Sequence, residues 1–453
     1  MLIDIANSEV SLTSHAALAE WNGTILGVLS HGQSAPVHLG KLLDLAPEFA
    51  MAHALKGLSA LMLGRRELYV VAQEASQTAQ KALQAGGATR RERLWCAALK
   101  DWLAGKPSQA IAHMEDALLI NPSDTFSMKL SHGIRFIIGD HFGMRQSIEA
   151  VIGAHDKDHA LRGYALGCLA FSMEETGSYD EAERIGLKGL EYASDDAWGL
   201  HAVTHVYDMT HRPTKGIALI DGNQDAWGHC NNFRFHVWWH KALLHLDQGE
   251  VDQVLALYDT KIRSDKTDDY RDFSNASSLL MRLELEGINV GTRWGELADL
   301  AEARTNDGCL TFADMHYMMA LVGDKRADAA TRLTARIAKD ASADTEVALV
   351  MRDPGVAVTQ GLAAFSDGNY DTAFAHLHAA RPRLQSMGGS HAQRDVFERV
   401  TIEAGLRAGS LDATKDLLEQ RITQRKGAID EFAEARLQMV NDARDLQAAV
   451  AAE

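Results

Sequence analysis

An all-α repeat protein is the fold class this sequence predicts, on three observations. Only seven of its 453 residues are proline, so little along the chain breaks a helix. Ala- and Leu-rich stretches recur at the 3.6-residue spacing of amphipathic helices, with little of the alternation that marks strands. Turn positions recur as well, at Gly32, Gly64, Gly105, Gly139, Gly177, a glycine-less turn near His211, Gly249, Gly287, Gly323, Gly368 and Gly409. These lie 32 to 45 residues apart. A near-regular series over most of a chain is the mark of stacked two-helix units.

Two stretches show the unit. "AGKPSQAIAHMEDALLINPSD" (104–124) has a turn glycine, small residues at Ala110 and Ala117, and Pro122 after its second helix. "TGSYDEAERIGLKGLEYASDDAW" (176–198) places Gly177, Tyr179 and Ala182 in the same order. This is the tetratricopeptide layout, in which small residues let two antiparallel helices approach and proline stops the second. The expected architecture is one α-solenoid of about ten or eleven hairpins over residues 1–453, without a second domain. The charge-rich stretch 410–453 reads as the polar helices that cap the end of such an array.

Composition narrows the function classes. The net charge of −17 is spread along the chain without an acidic tail or a basic cluster, so nucleic acid is not an expected partner. Cys96, Cys168, Cys230 and Cys309 are scattered and form no C-x-x-C pair, which fits reduced thiols and a cytoplasmic protein. The start, "MLIDIANSEV", has no basic stretch followed by an apolar run, and no window is apolar enough to span a bilayer. No nucleotide loop, G-x-S-x-G elbow, dinucleotide fingerprint or zinc-protease motif occurs.

The histidines carry the functional signal. If first helices line the inner surface of the array, residues at similar distances before each turn become neighbours. His132 precedes Gly139 by seven, His205 precedes His211 by six, His240 precedes Gly249 by nine and His316 precedes Gly323 by seven. In "HAVTHVYDM", His201, His205 and Asp208 follow i, i+4, i+7 and share one helical face. His236 and His240 do the same in "HVWWH", with Trp239 on their flank, whereas Trp238 and His245 point to the packing side.

Three readings of this pattern stand open. Two helices each bearing a histidine pair suit a metal, since neutral imidazole is a good zinc ligand. Alternatively His205 or His240 acts as general acid or base, with Asp208 orienting His205. In the third, the rings hydrogen-bond across packed helices and have no chemistry.

Other groups join the candidates. Glu174 and Glu175 fall just before Gly177, where one can face the groove or solvent. Asp314 and His316 are two positions apart on a helix and diverge by about 200°, so His316 is the better site residue. Asn275 and Ser278 fall in the groove register. In "GGSHAQRDVFE" two glycines close a helix, Ser390 and Gln393 form a capping box, and Arg394 and Asp395 read as a surface ion pair or as ligand-binding residues.

Taken in order, "DAWGLHAVTHVYDM", "HVWWHKALLHLDQGEVDQVLALYD", "LEGINVGTRW", "FADMHYMMALVG" and "GGSHAQRDVF" resemble the tetratricopeptide repeat protein 38 family over nearly the whole chain. The resemblance implies an α-solenoid and an intracellular protein. Its motif residues correspond here to Ser131, His132, Glu174, His201, His205, His236, Trp239, His240, Asp314, His316, Gln393, Arg394 and Asp395. The chain departs from the family pattern at Asp208, Val237 and Asn275, where related sequences carry Glu, Asn and Asp.

The expected function is therefore binding of a small polar molecule or short peptide in a concave groove. His132, Glu174, His201, His236, Trp239, His316, Arg394 and Asp395 are its binding residues. The rival expectations are an enzyme using His205, His240 and Asp208 for acid–base or metal-assisted hydrolysis, and a protein-interaction scaffold. The groove is short of the Lys residues that clamp a peptide carboxylate in the usual tetratricopeptide mode. Cofactor, metal and oligomeric state are left open by the sequence.

Overall fold

The computed structural model describes residues 1–452, and side chains as far as Ala449. The chain is an all-α, tetratricopeptide-like helical repeat. A two-stranded hairpin, pairing Leu2 with Val10 and Ile3 with Glu9, precedes the helices. Helices then follow in antiparallel pairs, for example Arg162–Glu175 with Tyr179–Tyr192 and Tyr270–Leu285 with Arg293–Arg304.

The chain forms two compact units. One comprises Met1–Thr204, Ile220–Arg234 and Thr345–Val347; the other comprises His205–Leu219, Phe235–Asp344 and Ala348–Glu453. In the first unit Trp21, Phe49, Trp95 and Phe126 form an aromatic centre, with Trp21 edge-on to Phe49 at 5.2 Å and to Phe126 at 5.5 Å. In the second, the helices Leu411–Gln424 and Glu431–Ala452 build a core of their own from Leu411, Leu417, Leu418, Phe432 and Val440 around Ile402.

The turn positions explain how the pairs close. Gly64, Gly105, Gly139, Gly177, Gly249, Gly287, Gly368 and Gly409 all adopt positive φ, as does His211 at the glycine-less turn. A left-handed residue ends a helix and sends the chain back, which glycine does without steric cost. Two expected positions differ. At the first turn His31, not Gly32, takes φ 55°, and near Gly323 the left-handed residue is Lys325 at φ 56°. Gly323 is the last residue of its helix, and there a Cβ would meet the Trp294 indole at 2.6 Å. It is a close-approach glycine. Gly323→Ala is accordingly expected to destabilise by about 1–3 kcal/mol through overpacking. Lys325→Gly is expected to be neutral or to gain about 1 kcal/mol by relieving αL strain; urea unfolding of the two variants checks the pair.

Burial separates first from second helices. In Tyr179–Tyr192 only Tyr179, Ala182, Gly186 and Gly189 are buried, a single stripe at helical spacing. Its partner Arg162–Glu175 is buried at every position from Gly163 to Glu175. The same contrast holds between Thr311–Gly323, buried from Thr311 to Leu321, and Ala327–Asp340, which buries Ala329, Ala330, Leu333 and Ile337. A helix covered on all sides is normally apolar throughout. Polar residues on these inner helices are therefore carried into the interior, where each needs a partner.

Candidate functional site

The helix Ala197–Met209 starts at Asp196, whose Oδ1 accepts from the Trp198 backbone N–H at 3.2 Å. From that start the helical period sets His201 and His205 one turn apart on one face, with Asp208 a turn further on. The helix Phe233–Leu246 begins where Asn231 Oδ1 accepts from the Phe233 N–H at 3.0 Å, and sets His236 and His240 one turn apart. A third inner helix, Tyr270–Leu285, is capped by Asp269, whose side chain accepts from the Arg271 N–H, and it brings Asn275 to the same place.

In the second unit these helices put three imidazoles together. His240 Nε2 lies 3.1 Å from His205 Nε2 and 3.1 Å from His236 Nε2. His236 Nδ1–H donates to Asn275 Oδ1 at 2.9 Å, and its ring stacks on Trp239 with centroids 5.2 Å apart. His205, Trp239, His240 and Asn275 are each no more than 1% exposed. Residues expected on an open groove thus lie in the interior, because the first helices are covered on both sides. Burial lowers the His236 pKa to about 3, against a raising contribution from Asn275, and lowers that of His240 well below the usual range, with His205 adding to the effect. Both rings are neutral at pH 7.

The other expected residues are engaged differently. In the first unit His132 Nε2 accepts from Trp198 Nε1–H at 3.1 Å, and His201 stacks on Phe171 at 5.5 Å. Glu174 is fully buried, and Glu175 pairs with His141 at 2.9 Å. In the second, His316 Nδ1–H donates to the Phe312 carbonyl at 2.8 Å and its ring lies against Phe397, while Asp314 pairs with Arg336. Asp208 is held by Arg425, 3.2 Å from its Oδ1. Ser390 and Gln393 form the expected capping box. Arg394 and Asp395 follow it but do not pair with one another: Arg394 donates to the Gly389 carbonyl, and Asp395 accepts from Arg399 at 2.7 Å and Arg421 at 2.8 Å.

One turn beyond the imidazoles, along the same two helices, the second unit forms a half-open cavity of about 520 Å³. Asp208 and Met209 reach it from one helix, Leu243 and Leu246 from the other, and Asp247 from the turn that follows. Its remaining wall is dense in charge, with Arg282, Arg381, Arg394, Arg399, Arg421 and Arg425 facing Glu286, Asp395, Glu398, Asp430 and Glu431. Arg421 grips Asp430 with both terminal nitrogens at 2.9 and 2.5 Å. Burial raises the Asp395 and Asp430 carboxyls, but Arg421 and its neighbours Arg399, Arg282 and Arg425 outweigh it, so both stay well below the ordinary Asp range.

Two lining charges are less well matched. Arg282 donates to the carbonyls of Ser278 at 3.2 Å and Ala392 at 2.6 Å, its guanidinium 5.6 Å from the Trp239 ring centroid. Its nearest carboxylate, Asp395, is 3.8 Å away, and burial pulls its pKa down to about 9. Asp247 faces His211 at 2.8 Å, yet burial, with Asp430 and Asp208 nearby, pushes its carboxyl up to about 6.

Arg282, Arg421, Arg425, Asp247 and Asp430 had not stood out in the sequence. Arg282 carried a usable signal, a lone cation inside the apolar run "SSLLMRLELEG" of a first helix. The others sit in stretches that read as solvated helix.

No family model matches the chain. Among solved structures it is similar to the human IFIT1 dimer with PPP-AAAA (TM-score 0.44, 12% identity, 86% of this chain and 94% of that one). It is also similar to yeast Tom70 (TM-score 0.35, 12% identity, 96% and 88%) and to Naa15/Naa10 bound to HypK-THB (TM-score 0.25, 11% identity, 90% and 63%).

Proposed function

We propose that this helical repeat protein binds a small zwitterion, an amino acid or short peptide, in the cavity of its second unit. The carrying observation is the wall of that cavity, which pairs most of its charges but leaves Arg282 without a bonded carboxylate and Asp247 raised to about 6. A ligand carboxylate placed at Arg282 and a ligand ammonium at Asp247 and Asp208 relieve both. The volume of about 520 Å³ suits a ligand of that size. Arg394 and Asp395 belong to this wall; His236, Trp239 and His240 stand behind it through the contact of Trp239 with Arg282.

Thermal-shift and calorimetric titrations with alanyl-alanine, its N-acetylated form and its C-terminal amide test the reading. The free dipeptide is expected to stabilise the protein, by about 2.7 kcal/mol at a hundredfold excess over Kd. Either blocked form is expected to lose most of that gain, as are Arg282→Gln and Asp247→Asn. Equal binding of the blocked forms, or no binding by any zwitterion of this size, overturns it.

One observation favours a catalytic second reading. Asp208 and Leu243, which line the cavity, lie three residues after His205 and His240 on the same helices, so these imidazoles stand one helical turn behind the wall, where Asp208 and Asp247 are acid–base groups in direct reach of a ligand. Hydrolysis of small amides or esters that persists in a folded His240→Ala variant excludes that residue. Four buried free thiols support an intracellular protein, and the ordered histidine motifs support membership of the tetratricopeptide repeat protein 38 family. Among the described residues no helix is long and apolar enough to cross a membrane.

A further inference from the structure

We propose that His205, His236 and His240 form a binding site for a divalent transition metal of the zinc class. The inference stands on the geometry of the rings and does not depend on what occupies the cavity.

Three imidazole Nε2 atoms converge in this arrangement. Asn275 Oδ1 accepts from His236 Nδ1–H, so in that tautomer the ring turns its Nε2 lone pair toward His240. His240 Nε2 faces that lone pair and His205 Nε2 at the same distance, 3.1 Å. A cation where the three nitrogens converge would be ligated by all of them.

The spacing agrees. Zinc–imidazole bonds of about 2.0–2.1 Å at a tetrahedral centre put ligand nitrogens about 3.3–3.4 Å apart. The two measured separations are 3.1 Å, and the three rings each offer a ligand atom within 4.8 Å of the others. The rings are also held from behind: Asn275 fixes the tautomer of His236, and the Trp239 indole fixes its plane. Such outer partners orient metal-binding histidines. A donor set of imidazoles without carboxylate favours zinc, copper or nickel over magnesium or calcium.

The full chain, with any affinity tag removed, is stripped with a chelator and titrated with Co(II) as a spectroscopic stand-in, then with Zn(II). The expected result is one equivalent per chain, visible bands of a tetrahedral nitrogen site, and displacement of cobalt by zinc. His240→Ala removes the central nitrogen and is expected to abolish the bands, while His15→Ala, at an exposed histidine of the first unit, leaves them unchanged. Asn275→Ala keeps all the ligands and is expected to weaken zinc binding about 10–100-fold; it serves if His240→Ala does not fold. Wild-type protein that takes up no stoichiometric cobalt or zinc overturns the proposal, as does a folded His240→Ala or Asn275→Ala variant with wild-type affinity and bands.

Discussion

Arg421→Met is expected to lower the stability of the second unit by about 3–5 kcal/mol, the usual consequence of removing one partner from a buried ion network. Arg421 is 3% exposed, grips Asp430 with two nitrogens and bonds Asp395 with the third. Its loss strands two carboxylates. Arg399 and Arg425 remain near them, at 3.6 and 3.7 Å from Asp430, but neither can reproduce the paired geometry. Arg421→Lys, which keeps the charge and loses the fork, is expected to fall between the two. Hydrogen exchange in the helix Leu411–Gln424 reads the effect locally, beside the denaturant unfolding curve.

The same network fixes the sign of a pH dependence. Asp395 and Asp430 titrate below their unfolded values, so their contribution is fully present above the unfolded Asp range near 3.9. It is lost as pH falls through the lowered folded values. The gap between wild type and Arg421→Met is therefore expected to be constant from neutral pH to about 5 and to narrow on acidification. Asp247 runs the other way. Its folded pKa is raised to about 6, so the cost of ionising it sets in as pH rises past its unfolded value and is complete above the folded one. Asp247→Asn is expected to stabilise the ligand-free protein at neutral pH, as charges kept for binding often cost stability.

The division between what the sequence disclosed and what it did not follows interaction range. Turns at Gly64, Gly139 and Gly249 were legible because a left-handed position is a local demand. The pairing of His205 with His240 was legible because repeat register makes distant positions neighbours. Gly323 misled for a local reason: its partner is an indole from the preceding helix pair, so the residue serves packing and the turn moves to Lys325. Asp208 misled for a distant one. One turn from His205 it reads as an orienting carboxylate, but Arg425, 217 residues later, takes it. Arg282 bonds the backbone of Ala392, 110 residues on. No periodicity in the chain announces contacts of that kind, and the cavity is built from them.

The largest effect expected in the first unit is at Arg91. Its Nε and one terminal nitrogen bond Asp124 at 2.6 and 2.7 Å, and the other terminal nitrogen bonds Asp4 at 2.7 Å. Each carboxylate is already committed to holding chain in place. Asp4 Oδ1 accepts from the Ala6 and Ser8 N–H groups at 3.0 Å, closing the N-terminal hairpin, while its Oδ2 accepts from Trp21 Nε1–H at 3.0 Å. Asp124 caps the helix Thr125–Ile138 through the Phe126 and Ser127 N–H groups and accepts from Ser127 Oγ, which in turn accepts from Trp95 Nε1–H. Arg91 thus neutralises two buried acids that fasten the hairpin, two core tryptophans and a helix start. Arg91→Leu leaves both acids uncompensated and is expected to cost about 3–5 kcal/mol, measured by denaturant unfolding. Adding Asp4→Asn and Asp124→Asn to that variant removes the stranded charges while keeping acceptor oxygens for the hairpin and the cap. It is expected to recover a large part of the loss, since the penalty lies in burying unpaired charge more than in forgoing the pairs. A triple variant no more stable than Arg91→Leu alone would instead place the cost in the lost hydrogen bonds.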